Sequence, residues 1–159
     1  GVQSPAMTAF IETLGDALKN KPGQVMLNHG LLANYQRGVE RLKSLAGVAE
    51  IAIGEAAANQ AAARLFTADK ARLFDDAQPL MEEVFGPSTV VVVLDTADEL
   101  EAAARALNGQ LTATVTGEAA EIARHPQLVT ELTRRAGRVL FNGFPTGVAV
   151  NDAMVHGGP

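Results

Sequence analysis

At 159 residues the chain has the size of one ordinary domain, by the usual ~100 to 200 residues per domain, and is long enough to bury a sizeable core. A net charge of −5 argues against a broad grip on nucleic acid or anionic lipid, which takes clustered Lys and Arg. No apolar run approaches the ~18 residues of a membrane span, and zero cysteines exclude disulfides, thiolate metal sites and a cysteine nucleophile within the chain. Gly1 to Pro5 carries neither the basic flank nor the apolar core of a secretory signal, so the cytoplasm is the expected compartment.

Ser4-Pro5 is a helix start, with a capping hydroxyl followed by a residue that has no N–H to leave unsatisfied. Met7, Phe10, Ile11, Leu14 and Leu18 then fall on one helical stripe, which Asn20, Pro22 and Gly23 end. After a loop containing His29-Gly30, the spacing of Leu32, Tyr35, Val39, Leu42 and Leu45 predicts a second helix, closed by Gly47. Val48 to Ile53 alternates and predicts a short strand, whereas Glu55 to Arg64 is ambiguous, its first half being taken as loop before a possible strand at Leu65-Phe66-Thr67. Gln78 to Glu83 predicts a helical turn broken at Gly86-Pro87. Thr89 to Leu94 is apolar on both faces, the pattern of a strand buried on both sides of a parallel sheet. Thr96 to Glu99 has the form of a capping box leading a helix with Leu100, Ala103, Ala104 and Leu107 inward and Asn108-Gly109 at its end. Leu111 to Thr116 predicts a strand nearer a sheet edge, Ala119 to Ala123 a helical segment, and Pro126 to Arg135 a helix with a Gly137 C-cap. Arg138 to Phe141 predicts the last strand. Helices alternating with strands predict an α/β fold, a mainly parallel sheet flanked by helices, with residues 1–159 forming one domain.

The most distinctive stretch is Met81 to Pro87, a pair of carboxylates followed by an aromatic and a Gly-Pro turn at the mouth of the valine strand. A carboxylate there can offer two acceptor oxygens to a sugar diol while the ring packs against a flat heterocycle. From spacing alone, however, Glu82 and Glu83 are ordinary exposed acids. His29, His125 and His156 show no metal-ligand spacing. Asp95, Asp98 and Glu99 fit helix capping, Asp75-Asp76 a solvated pair, and Arg134-Arg135 the cationic last turn of a helix. No glycine-rich phosphate loop is present. Asn142 to Gly147 follows the last strand as a loop, the position where parallel sheets hold ligands, although a plain connection accounts for it equally well.

Glu82-Glu83-Val84-Phe85-Gly86-Pro87 resembles the Glu-Glu-(Ile/Val)-Phe-Gly-Pro signature of the aldehyde dehydrogenase superfamily. The tail, Gly137 to Val148 and Ala153 to Pro159, is similar to the branch of that family acting on 2-oxoglutarate semialdehyde. The resemblance implies that the chain is part of a catalytic domain of the aldehyde dehydrogenase fold, without the cofactor domain, the nucleophile segment or the C-terminal arm. It implies NAD or NADP as cofactor, a small aldehyde as substrate, and a homo-oligomeric parent. Carried over by residue, Glu83 would hold the nicotinamide ribose hydroxyls, Phe85 would pack beside the nicotinamide, and Phe144 would line the substrate tunnel. The family's nucleophilic cysteine and general-base glutamate have no counterpart in this chain, so on its own it is expected to be inactive, with Met7, Phe10 and Ile11 left exposed. Two other readings compete with this one: a noncatalytic module derived from the fold, and an unrelated α/β domain with coincidental matches.

Overall fold

The computed structural model of the protein describes residues 1–75 and 79–145. The chain divides into two units, one of Gly1–Asp95 and one from Thr96 onward.

In the first unit α1 (Pro5–Lys19) starts as its sequence requires, the Ser4 Oγ accepting the Met7 N–H at 3.1 Å with Pro5 in the first turn. A two-residue strand, β1 (Gln24–Val25), follows within the stretch expected to be loop. The next helix, α2 (His29–Ser44), begins at His29, so His29 and Gly30 are helical. Asn28 explains the difference, because its Oδ1 accepts the Leu31 N–H at 2.9 Å and caps the helix earlier than the apolar stripe begins. Gly47, at φ 77°, turns the chain into β2 (Val48–Ile53). Then come β3 (Gln60–Ala61), paired antiparallel with β1, β4 (Arg64–Ala68) and β5 (Ser88–Val92). The main sheet of this unit has the order β2-β4-β5, antiparallel on one side of β4 and parallel on the other.

Both faces of the central strand β4 are covered. Successive residues of a strand point to opposite faces, and Leu65 and Phe66 on the central strand are both fully buried. Phe66 joins Leu32, Tyr35, Val39 and Leu42 of α2, and Leu65 lies toward α1, where Gly15 meets Ala52 and Leu65. β5 is parallel as expected, but it ends at Val92 and Thr89 is exposed, so it is not buried on both sides. It is an outer strand of the three, whereas β4 takes the central place. The β4-to-β5 crossover contains 3-10 turns at Lys70–Phe74 and Pro79–Met81. Asp76 and Gln78 lie outside the described residues.

In the second unit α3 (Glu99–Ala106), β6 (Gln110–Val115), α4 (Ala119–Ile122), α5 (Pro126–Arg135) and β7 (Ala136–Phe141) follow in order. β6 and β7 are parallel, joined through a helical crossover. Ala104, Leu128 and Leu132 form the core, packed by Leu100, Leu107, Ala113, Val115 and Val139. The capping box does not form at Thr96. The helix starts at Glu99 with Asp98 as its N-cap, after a turn in which the Leu100 N–H bonds to the Ala97 carbonyl. Gly137 is likewise not a C-cap. Ala136 takes the extended conformation and α5 passes directly into β7, two residues before the strand expected at Arg138. The pairing as a whole is mixed, with two parallel and two antiparallel pairs among the described residues. No helix among them is long and apolar enough to cross a membrane.

Phe66→Ala is expected to lower the unfolding free energy by ~3 to 5 kcal/mol, since it empties a fully closed position. Phe10→Ser, at a residue 54% exposed, should change it by less than ~0.5 kcal/mol. Urea unfolding of the two variants beside the parent chain checks the contrast.

Candidate functional site

Residues 82–87 lie along one face of α2. Tyr35, Gly38 and Arg41 are spaced three apart on that helix and so form a single stripe. Arg41 holds Glu82 twice, by Nε to the carboxylate Oε2 at 3.1 Å and by Nη2 donating to the Glu82 carbonyl at 2.9 Å. Val84 sits on Gly38, where a Cβ would come within 2.9 Å of Val84 Cγ1. Gly86 lies over the Tyr35 ring, and a Cβ there would stand 2.3 Å from Tyr35 Cδ2. The next residue closes the loop onto the sheet, the Pro87 carbonyl accepting the Arg64 N–H at 2.9 Å immediately before Ser88 enters register with Arg64.

Tyr35 is the keystone of this arrangement. It is 2% exposed, and its hydroxyl donates to the Ala62 carbonyl at 2.6 Å, with the Pro87 carbonyl at 3.4 Å. Burial pushes the phenol pKa up to about 12 from its ordinary 10.0, because the phenolate would lose its water; the nearby Arg64 pulls the other way and only partly offsets it.

With residues 82, 84 and 86 turned to α2, residues 83 and 85 remain on the outside. Glu83 is exposed, with no hydrogen-bond or ion-pair partner among the described residues, and Phe85 is 60% exposed. The loop thus brings together the two residues for which the sequence suggested cofactor contact and leaves a carboxylate and an aromatic face open on one side. Glu82 differs from its neighbour, being paired rather than simply solvated. The sequence reading overlooked Tyr35, Gly38 and Arg41 as a supporting stripe, although a lone tyrosine and a mid-helix glycine three residues apart were a usable signal.

The remaining candidates are accounted for locally. Lys70 pairs with Asp95, Arg72 with Asp75 at 3.0 Å, and both Arg134 and Arg135 with Glu131, which Arg105 also approaches at 3.6 Å. Asp75 is therefore a paired acid rather than a solvated one. His29 opens α2, His125 precedes α5 with its Nδ1 4.0 Å from Asp98 Oδ1, and His156 lies outside the described residues. Among the described residues no group of three His, Cys, Asp or Glu side chains could hold a metal ion.

In the second unit Phe144 is 94% exposed, two residues past Asn142. Asn142 itself, at φ 50°, ties the two strand ends together. Its Nδ2 donates to the Gly117 carbonyl at 3.0 Å, its Oδ1 accepts the Gly117 N–H at 2.9 Å, and its own N–H bonds to the Val115 carbonyl. Thr146 to Pro159, the remainder of the family-like tail, lies outside the described residues.

No family model matches the chain. Against curated proteins it is 44% identical over 161 residues to the alpha-ketoglutaric semialdehyde dehydrogenase of Acinetobacter baylyi, an alignment covering 100% of this chain and 31% of that protein. It is 41% identical over 160 residues to alpha-ketoglutaric semialdehyde dehydrogenase 2 of Azospirillum brasilense, covering 99% of this chain and 30% of that one. The chain is similar to one segment of each of these two dehydrogenases. It spans about a third of the length of the curated relatives it matches. In fold it superposes on the NAD+ complex of the Bacillus cereus aldehyde dehydrogenase with a TM-score of 0.72 at 23% identity, over 96% of this chain and 31% of the other. The α/β architecture described above is accordingly a partial aldehyde dehydrogenase fold.

Tyr35 is the one tyrosine of a chain without tryptophan, so its ionisation can be followed by phenolate absorbance. The folded chain should titrate near 12 and the unfolded chain near 10.0. Below pH 10 both states keep the proton and stability is at its full value; between pH 10 and 12 the unfolded state loses it first, so stability falls as pH rises. Tyr35→Phe should remove this component of the alkaline loss while costing ~1 to 3 kcal/mol at neutral pH, as the Ala62 carbonyl loses its donor. Gly86→Ala should cost a similar ~1 to 3 kcal/mol by overpacking against the ring.

Proposed function

We propose that the chain is the part of an NAD(P)-dependent aldehyde dehydrogenase that presents the nicotinamide-facing loop, and that residues 1–159 all belong to its catalytic domain. The observation that carries the reading is the open face of loop 82–87. α2 takes up Glu82, Val84 and Gly86 and leaves Glu83 and Phe85 free to meet a ligand, within a sequence 44% identical to a dehydrogenase of this class. Glu83 would accept hydrogen bonds from the nicotinamide ribose hydroxyls, and Phe85 would lie beside the nicotinamide. Phe144, beyond the Asn142 turn, would line the path of the aldehyde. The bound dinucleotide supplies the hydride acceptor that the side chains lack, and the protein supplies binding and orientation.

The aldehyde is proposed to be 2-oxoglutarate semialdehyde, oxidised to its carboxylic acid through a thioester on a cysteine outside these residues, since this chain contains none. A cytoplasmic homo-oligomer is proposed for the whole protein, in line with the family resemblance.

Mixed with 2-oxoglutarate semialdehyde and NAD+ or NADP+, the 159-residue chain should form no reduced cofactor above the protein-free rate. Turnover by this chain would refute the assignment of a thiol outside it. In the protein that joins this chain to a cysteine-bearing segment, Glu83→Gln should raise the cofactor KM by about tenfold, the loss of roughly one charge-assisted hydrogen bond. An unchanged KM would remove Glu83 from the cofactor site.

A further inference from the structure

Two Asn-Gly pairs occur in the chain, Asn108-Gly109 and Asn142-Gly143, and both fall in the second unit at the ends of strands. In an Asn-Gly pair the following amide nitrogen meets no side chain as it approaches the asparagine Cγ, which is why such pairs are open to intramolecular attack. Whether attack occurs then depends on the freedom of the carboxamide and of the backbone around it. In these two properties the pairs differ.

Asn142 is held at three points. Its carboxamide both donates to the Gly117 carbonyl and accepts the Gly117 N–H, and its main-chain N–H bonds to Val115. To rotate Cγ toward the Gly143 nitrogen, both side-chain hydrogen bonds have to break together. Asn108 has no such restraint. It lies in the loop between α3, which ends at Ala106, and β6, which starts at Gln110; Asn108 and Gly109 are both exposed. The side-chain hydrogen bond at this loop runs from Gln110 Nε2 to the Asn108 main-chain carbonyl at 3.2 Å, which leaves the Asn108 carboxamide without a partner among the described residues.

We propose that Asn108-Gly109 is a site of self-modification, converting to aspartate and isoaspartate in the folded protein, while Asn142-Gly143 is protected by its clamp on Gly117. The Gly109 nitrogen attacks the Asn108 Cγ, forming the N–Cγ bond of a five-membered succinimide. The Cγ–Nδ2 bond breaks, and Nδ2 leaves as ammonia carrying the proton given up by the Gly109 nitrogen. Water then opens the ring at either carbonyl, so the net change is amide plus water to carboxylic acid plus ammonia. Opening at one carbonyl gives aspartate; opening at the other routes the main chain through Cβ and Cγ, adding a backbone carbon between Asn108 and Gly109, one residue ahead of Gln110, whose register with Ala136 starts the β6–β7 ladder. Either product adds one negative charge to a chain of formal net charge −5.

The test is peptide mapping by mass spectrometry of the folded chain incubated at mildly alkaline pH, with isoaspartate detected by enzymatic methylation. Conversion at Asn108 should exceed that at Asn142 by roughly tenfold or more, the factor expected of two closed hydrogen bonds, and in denaturant the two rates should converge. Gly109→Ala should slow conversion at Asn108 and leave Asn142 unaffected. Equal rates in the folded chain, faster conversion at Asn142, or no conversion at Asn108 while the unfolded chain reacts would each overturn the proposal.

Discussion

The hydrogen bond from the Tyr35 hydroxyl to the Ala62 carbonyl, at 2.6 Å, is the contact around which loop 82–87 is arranged. It ties α2 to the segment that leads into the central strand, and it sets the height of the aromatic ring over which Gly86 must pass. A buried phenol without a partner would cost stability, so the ring and the loop are positioned together. Once Gly86 rests on Tyr35, Val84 meets Gly38 and Glu82 meets Arg41 by the three-residue spacing of the helix. The outward placement of Glu83 and Phe85 follows from that alternation.

Much of this was legible in the residues. The stripe of Leu32, Tyr35, Val39 and Leu42 is the buried face of α2, and Ser4-Pro5 and Pro126 begin helices where their chemistry requires. What failed was local signal overridden by neighbours. Asn28 captured the start of α2 ahead of the periodic pattern, and Thr96 lost the helix start to Asp98 although the four-residue motif was complete. Gly137 resembled a helix stop, yet β7 pairing with β6 drew it into extended structure. The valine run resembled a strand covered on both sides, and its exposure depends on strand order, which no run of residues encodes.

The site was legible in a different sense. The Glu-Glu-Val-Phe-Gly-Pro string could be recognised, but the distinct parts played by Glu82 and Glu83 could not, because they depend on Arg41, forty-one residues earlier. The same holds for Asn142, whose side chain reaches Gly117 on the neighbouring strand end and shapes the turn that carries Phe144. In both units a short loop at the end of a parallel strand is braced by one polar side chain, Arg41 of α2 for loop 82–87 and the loop's own Asn142 after β7, which keeps the outward residues in place without spending them on structure.

Reading the gene on both sides of the segment tests the central claim most directly. The account predicts an in-frame cysteine codon shortly before Gly1, preceded by a glutamate codon and a glycine-rich helix start, joined without interruption to the codons for Gly1 to Pro159. A start codon adjoining Gly1, or an upstream frame that lacks such a cysteine, would contradict it and make this chain a noncatalytic relative of the dehydrogenases.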